Sequence, residues 1–304
     1  MSGVMKPNFF VVGAPKSGTT SLYFYLKQHP QVFLPRIKEL LFFCTDLHFK
    51  FPLLTEQQFL QYYSDGIDQP AIGEVSVWNL YSAAASENIY KFNPTAKIVI
   101  LIRHPVDMMV ALHSNHVFNR NEIIHNFEEA IAAQVERKNG ERISPHIKCP
   151  VEAFYYFDVA TYSPQVKRYI NLFGRERVKV ILFDEFTENT AAAYLDLLKF
   201  LELKPVMPST FKIFNPRKNP RSKLLRHLTL HPPAWIKKTG RLIFPHQSKR
   251  RDLMMFWLWQ LNTKSVKREA LSAALRKDLI EKFHDEIKTL ELVIDKDLSG
   301  WLRG

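Results

Sequence analysis

The stretch Phe9-Phe10-Val11-Val12-Gly13-Ala14-Pro15-Lys16-Ser17-Gly18-Thr19-Thr20-Ser21 decides how this chain is read. Four β-favouring apolar residues run into a loop that carries two glycines and a proline. Leu22, Tyr25 and Leu26 then recur at helical spacing until His29-Pro30 ends the helix. Glycine permits a tight turn and close backbone approach, the open amides of a helix start point at an anion, and the helix dipole favours negative charge there. Lys16 adds a point charge, and Ser17, Thr19, Thr20 and Ser21 add hydroxyl donors. The loop therefore reads as a phosphate cradle made by Lys16, Ser17, Gly18, Thr19, Thr20 and Ser21; the plainer alternative is a turn that only caps a helix. Gly13 and Gly18 have Walker A spacing, but Lys16 precedes the second glycine and Thr19 stands where that motif has its lysine, which disfavours an ordinary magnesium-dependent ATPase or kinase.

Outward from this loop, short apolar runs alternate with segments of helical period. Strands are expected at Ile98–Ile102, Val178–Phe183 and Ala71–Glu74. Helices are expected at Val106–Phe118, from a Ser163 cap with Pro164 in the first turn to Phe173 before Gly174, at Thr190–Leu201, at Asp252–Leu261, and from Val266 to about Ile294 with Leu271, Leu275, Leu279, Phe283 and Ile287 on one face. That alternation predicts an α/β fold: a single domain over residues 1–304, with a central parallel sheet flanked by helices and a strand–loop–helix unit like that of P-loop NTPases. The chain has 304 residues, 46% of them hydrophobic and 13% aromatic, which excludes a disordered or low-complexity protein. Cys44 and Cys149 lie far apart and belong to no metal or disulfide pattern, so no metal is expected and a reducing, cytoplasmic location fits. Met254–Trp259 is bounded by Asp252 and Gln260, and no apolar run reaches spanning length.

The net charge of +12 has one source. Residues 212–251 contain twelve Lys or Arg and no Asp or Glu, leaving thirty bases against thirty acids elsewhere. With Pro216, Pro220, Pro232, Pro233 and Pro245 as breakers, this stretch reads as a basic, Pro-rich lid or insertion, a solvated face, or a surface for an anionic partner. No RNP, helix-turn-helix or zinc-finger pattern supports nucleic acid as that partner. Trp235, Ile236, Leu242, Ile243 and Phe244 interleave with Lys237, Lys238 and Arg241, compatible with a lid over a lipid-like acceptor, a membrane-surface contact or docking of an acidic carrier protein.

The string from Val11 to Pro30 resembles the sulfotransferases that use 3′-phosphoadenosine 5′-phosphosulfate, in particular their bacterial and heparan-sulfate-type branch. Further pieces match in order: Pro35–Phe43 is similar to the family's Lys-Glu-x-x-Phe-Phe segment, Gly73-Glu74-Val75-Ser76 to its Gly-Glu-x-Ser/Thr segment, and Ile100–Asp107 to its strand and loop for the 3′-phosphate. Val180–Phe186 and Asp297–Leu302 also look familial, so the resemblance spans nearly the whole chain. It implies a sulfotransferase that moves a sulfuryl group in line from that co-substrate to a hydroxyl, or alternatively an amino, acceptor of small-molecule, glycan or lipid type, without a metal.

By analogy with phosphoryl transfer, the protein must position the reactants, stabilise the leaving phosphate and take the acceptor's proton. Lys16 is assigned to the leaving phosphate and the Ser17–Ser21 amides and hydroxyls to the 5′-phosphate. Arg103, at a strand's carboxyl end, suits bidentate phosphate recognition, with a structural salt bridge as the competing role. The family's serine eight residues later is Ala111 here, and Ser114 is the candidate substitute. Glu74 is the leading general base and faces the acceptor, as the resemblance implies; a charged partner for Lys16 or Lys38 is its other reading. Val77 and Asn79 stand where the family tends to have proline and tyrosine. His113 and His116 are rival bases, against the alternative of packed histidines. Lys38 lines the acceptor or sulfonate side by resemblance, and Lys218, Arg221 and Ser222 resemble the late basic loop that closes over the nucleotide. The competing functions are a P-loop-like nucleotide kinase and a non-catalytic anion-binding protein that uses the basic segment.

Overall fold

In the computed structural model of the chain, residues 6–65, 69–145, 147–212, 218–220, 263–265 and 271–303 are described. Five parallel strands form the sheet: β1 (Phe9–Gly13), β2 (Val32–Phe33), β3 (Ala71–Val75), β4 (Lys97–Ile102) and β5 (Val178–Leu182), in the order β2-β3-β1-β4-β5. The register pairs Phe10 with Glu74 and with Ile98, and Ile102 with Leu182. The helices of the main unit are α1 (Thr19–Leu26), α2 (Glu56–Gln61), α3 (Ala83–Phe92), α4 (Pro105–Asn119), α5 (Phe127–Ala132), α6 (Gln134–Lys138), α7 (Tyr156–Ala160), α8 (Tyr162–Phe173), α9 (Phe183–Glu188), α10 (Thr190–Phe200), α11 (Ala273–Lys282) and α12 (His284–Ile294).

Alternate side chains of a strand face opposite sides, and both sides are covered, so β1 and the Ile98–Ile102 part of β4 read as unbroken apolar runs. Phe10, Val12, Ile98, Ile100 and Ile102 point into one core with residues of α3, α4, α8, α11 and α12. Phe9, Val11, Val75, Val99 and Leu101 point into the other with α1 and α10. The α/β fold expected from the alternation of strands and helices is thus present around a five-stranded parallel sheet.

Element ends follow local chemistry. Thr55 and Gln58 form a capping box on α2, Ser82 caps α3, and Gly174, at φ 80°, ends α8. Three sequence expectations shift. The strand expected to include Phe183 ends at Leu182, and Phe183 opens α9. Ser163 does not cap α8, which starts at Tyr162; its amide and hydroxyl both donate to Glu286 of α12, at 2.6 Å. The long final helix expected from Val266 begins, among the described residues, at Ala273 behind a Ser272 cap, and it is broken at Phe283, where φ −94° and ψ 3° depart from helical values. The expected helix at 252–261 lies outside the described residues. Among the described residues no helix is long and apolar enough to cross a membrane.

Contacts divide the chain into two compact units, Met1–Phe214 with Leu271–Gly304, and Asn215–Ala270. The second unit is inserted between α10 and α11 and takes in most of the basic stretch. Its described part is an antiparallel pair of short strands, β6 (Lys218–Pro220) with β7 (Thr263–Ser265). The side chain of Lys218, together with Arg221, Ser222 and the residues from Trp235 to Phe244, lies outside what is described.

Candidate functional site

β1 delivers the chain to the phosphate-type loop at the carboxyl end of the sheet, beside β3 and β4. At Gly13 a Cβ would sit 2.4 Å from Leu80 Cβ, so glycine is what lets Leu80 cover this strand end. Lys16 and Gly18 both take positive φ, 61° and 90°, on either side of buried Ser17, whose Oγ donates to Pro15 O at 3.4 Å. Left-handed residues within such a turn gather successive amides around one concavity. α1 starts at Thr19 with Gly18 as N-cap and no side-chain cap, and its first backbone bond is Leu22 N to Gly18 O at 3.1 Å. The turn thus sets the amides of Thr19 and Thr20 at the start of α1, where the helix dipole favours an anion.

Two cations converge on this loop from elsewhere in the chain. Lys38 Nζ donates to Thr19 Oγ1 at 3.4 Å and to Thr20 Oγ1 at 3.3 Å, and pairs with Glu39 Oε1 at 2.9 Å. Glu39 fixes this approach: its amide donates to Val75 O at 2.8 Å and its Oε2 accepts from Val77 N at 2.9 Å. Arg103 follows β4, and its guanidinium lies 4.5 Å from the centroid of the Phe183 ring. The same ring is 3.3 Å from the place a Gly18 Cβ would occupy. Phe183 thus joins the loop to Arg103, a role that the apolar pattern of residues 178–183 does not reveal. Arg103 Nε is buried without a hydrogen-bond partner, and burial pushes the guanidinium's pKa down. A buried, unsatisfied donor beside a phosphate-type loop is what an anionic ligand would complete.

The C-terminal segment braces this side from behind. His104 Nε2 donates to Trp301 O at 2.9 Å, and Trp301 Nε1 donates to Asp184 Oδ2 at 3.1 Å. On α4, Asp107 pairs with Arg276 of α11 at 2.9 Å, Ala111 is buried, and Ser114 is half-buried.

Glu74, in β3, is 1% exposed. Ser76 Oγ donates to its Oε1 in a short contact, and Asn79 Nδ2 donates to its Oε2 at 3.1 Å. Burial outweighs these contacts and the nearby Lys38 charge, and its pKa is pushed up to about 8. Such a carboxyl holds its proton at neutral pH and is a stronger base than an exposed one once ionised. No direct ion pair joins Glu74 to Lys38, whose carboxylate partner is Glu39.

The two histidines of α4 are packed. His113 donates from Nε2 to Ile124 O at 2.9 Å and lies against Phe127 and Tyr156, so its contacts are with the core rather than with the loop residues. His116 lies against Phe154, with Cys149 Sγ 3.9 Å from its Nδ1. Burial, with the Lys16 charge in second place, pushes its pKa down to about 3. Behind them Arg137 Nη2 reaches both oxygens of Glu122 at 2.9 Å, with the pair 0% and 1% exposed. Cys44 and Cys149 are free and buried. Among the described residues no group of three or more His, Cys, Asp and Glu is placed to hold a metal ion.

The family model described as "Sulfotransferase domain" matches residues 6–230. The chain is 30% identical over 101 residues to the membrane-associated sulfotransferase kil1 of Dictyostelium discoideum, covering 33% of this chain and 21% of that protein. It is 23% identical over 217 residues to the bifunctional heparan sulfate N-deacetylase/N-sulfotransferase 2 of Homo sapiens, covering 67% of this chain and 23% of that protein. It is 21% identical over 255 residues to carbohydrate sulfotransferase 15 of Mus musculus, covering 66% and 44%. The chain therefore spans less than half the length of each of these curated relatives. The crystal structure of a sulfotransferase from Alicyclobacillus acidocaldarius matches with a TM-score of 0.73 at 27% identity, covering 98% of this chain and 100% of that one.

Proposed function

Because this chain belongs to the sulfotransferase family, we propose that it takes its sulfuryl group from 3′-phosphoadenosine 5′-phosphosulfate and passes it to a hydroxyl acceptor. The observation that carries this reading is the left-handed loop at the start of α1, with Gly18 and Arg103 each set against the Phe183 ring. The amides and hydroxyls of Ser17–Ser21 hold the 5′-phosphate, and Arg103, with its unsatisfied Nε, takes the 3′-phosphate, assisted by Ser114. Bound there, the co-substrate supplies an activated sulfuryl group on a phosphate that is a stable leaving group.

Lys16 neutralises the charge that grows on that phosphate as its bond to sulfur lengthens, a contribution that is largest in a water-poor site. Lys38, at the loop hydroxyls, orients the sulfonate oxygens. Glu74, once ionised, accepts the proton that the acceptor hydroxyl loses as its oxygen bonds to sulfur. The names of the carbohydrate and heparan sulfate relatives favour a glycan among the possible acceptors.

The test is transfer of labelled sulfuryl from the donor into glycan, lipid and small-alcohol pools, with chelator present. Label in a hydroxyl-bearing pool supports the reading. Label in none of them, from protein that hydrolyses magnesium-ATP instead, would replace it with a kinase-type activity.

A further inference from the structure

Both oxygens of Glu74 are occupied from inside the protein, by Ser76 Oγ and by Asn79 Nδ2. A side-chain amide can present either its NH2 or its carbonyl oxygen, and only the NH2 suits an ionised carboxylate. A third residue settles which way Asn79 is turned. Cys44 Sγ donates to Asn79 Oδ1 at 2.9 Å, and Cys44 and Asn79 are both 0% exposed. A thiol donates but accepts poorly. Burial, with the carboxylates of Glu74, Asp46 and Glu39 around it, pushes the Cys44 pKa well up, so the thiol keeps its proton. The amide accordingly shows its oxygen to Cys44 and its NH2 to Glu74. The backbone of Asn79 is held independently: its carbonyl accepts from Tyr169 Oη at 2.7 Å, and its amide donates to Ser76 O at 3.2 Å. Cys44 therefore controls the orientation of the amide rather than the place of the residue.

We propose that Cys44 and Asn79 form a two-link relay that favours the ionised, proton-accepting form of Glu74, which makes Cys44 a positioning residue for sulfuryl transfer although it touches neither reactant. The relay rests on the reading of Glu74 as proton acceptor. The other groups facing Glu74 are Lys38 and Glu39 from the segment after β2, Ser76 from its own strand end, Tyr63 from beyond α2 and Tyr169 from α8. Lys38 favours the ionised form and Glu39 opposes it. Burial keeps both tyrosines neutral.

The protonation of Glu74 can be read without turnover, from the protonated-carboxyl infrared band that Glu74→Gln abolishes, followed over about pH 5 to 10 beside the pH profile of sulfuryl transfer. Asn79→Ala should raise the midpoint by about one to two pH units, the worth of a hydrogen bond to a charged group. Cys44→Ala should raise it by roughly half a unit, the cost of an amide left free to turn, and Cys44→Ser, which keeps a donor, should restore the wild-type value. The pH at which the rate rises should move with the band. A midpoint unmoved in Cys44→Ala overturns the relay, as does a Cys44→Ser midpoint that stays with the alanine variant. If Asn79→Ala does not fold, the Cys44 pair decides alone. Undiminished turnover in Glu74→Gln would remove the base assignment, whereas the infrared midpoints would still judge the relay.

Discussion

Replacing Glu74 by glutamine should abolish a pH dependence of stability that the wild type owes to one buried carboxyl. In the folded protein its pKa stands at about 8, against 4.5 for an ordinary glutamate. Between those values the native state holds a proton that the unfolded chain has lost, so stability must fall as pH rises through this window and level off on either side. At about 1.4 kcal/mol per pH unit, this one group removes roughly 2.5 kcal/mol between pH 5 and pH 7, and about 4 to 5 kcal/mol over the whole window. Glutamine is the right replacement because it preserves the local contacts. Its carbonyl oxygen accepts from Asn79 Nδ2, and its amide can donate to Ser76 Oγ, which takes a bond from Leu41 N at 3.2 Å on another side. Urea unfolding of both proteins at several pH values should show wild-type stability falling relative to the variant's by roughly 2.5 kcal/mol from pH 5 to pH 7. Parallel curves would mean that Glu74 is ionised in the folded protein at neutral pH, and its assignment as a tuned base would lose its physical ground.

Lys16→Ala should lower kcat by about 100-fold or more while changing stability by less than about 1 kcal/mol, measured by turnover and denaturant titration side by side. Arg103→Ala should weaken nucleotide binding by about 10- to 100-fold, the range of a lost hydrogen bond to a charged group, with calorimetry as the readout. Gly18→Ala should destabilise by about 1 to 2 kcal/mol, because φ is 90° and the new methyl would press on Phe183 at 3.3 Å. Arg137→Met should cost about 3 to 5 kcal/mol in a urea melt, since it strands the Glu122 carboxylate that also holds Tyr156 Oη and Ile124 N at 2.8 Å.

Much of this architecture is legible in the residues because a parallel sheet covered on both faces needs apolar strands, and Phe9–Val12 and Ile98–Ile102 are unbroken apolar runs, whereas Ala71–Glu74, with Gly73 and Glu74 in it, gives a weaker signal. Val32–Phe33 gives no strand signal, since two residues carry no period. Ser163-Pro164 has the composition of a helix start, yet the serine's partner is Glu286, which only the packing of α12 on α8 supplies. The loop residues from Lys16 to Ser21 could be named as a cradle because backbone geometry follows from glycine placement. The surroundings of Glu74 could not: Ser76 is two residues away, but Cys44 reaches it through Asn79 only when the segment after β2 folds over the end of β3. His113 shows the same limit. A histidine on an apolar helix face has the same pattern whether it lines a pocket or, as here, bonds a core carbonyl.

The most direct measurement is the thermal stability of the protein titrated with 3′-phosphoadenosine 5′-phosphate in the presence of chelator, set against magnesium-ATP. Binding to the native state alone must raise the melting temperature. The expected result is a saturable rise with the bisphosphate that is lost in Arg103→Ala and is smaller or absent with magnesium-ATP. A melting temperature indifferent to the bisphosphate, or raised only by magnesium-ATP, would contradict the assignment of the loop, Arg103 and the donor together.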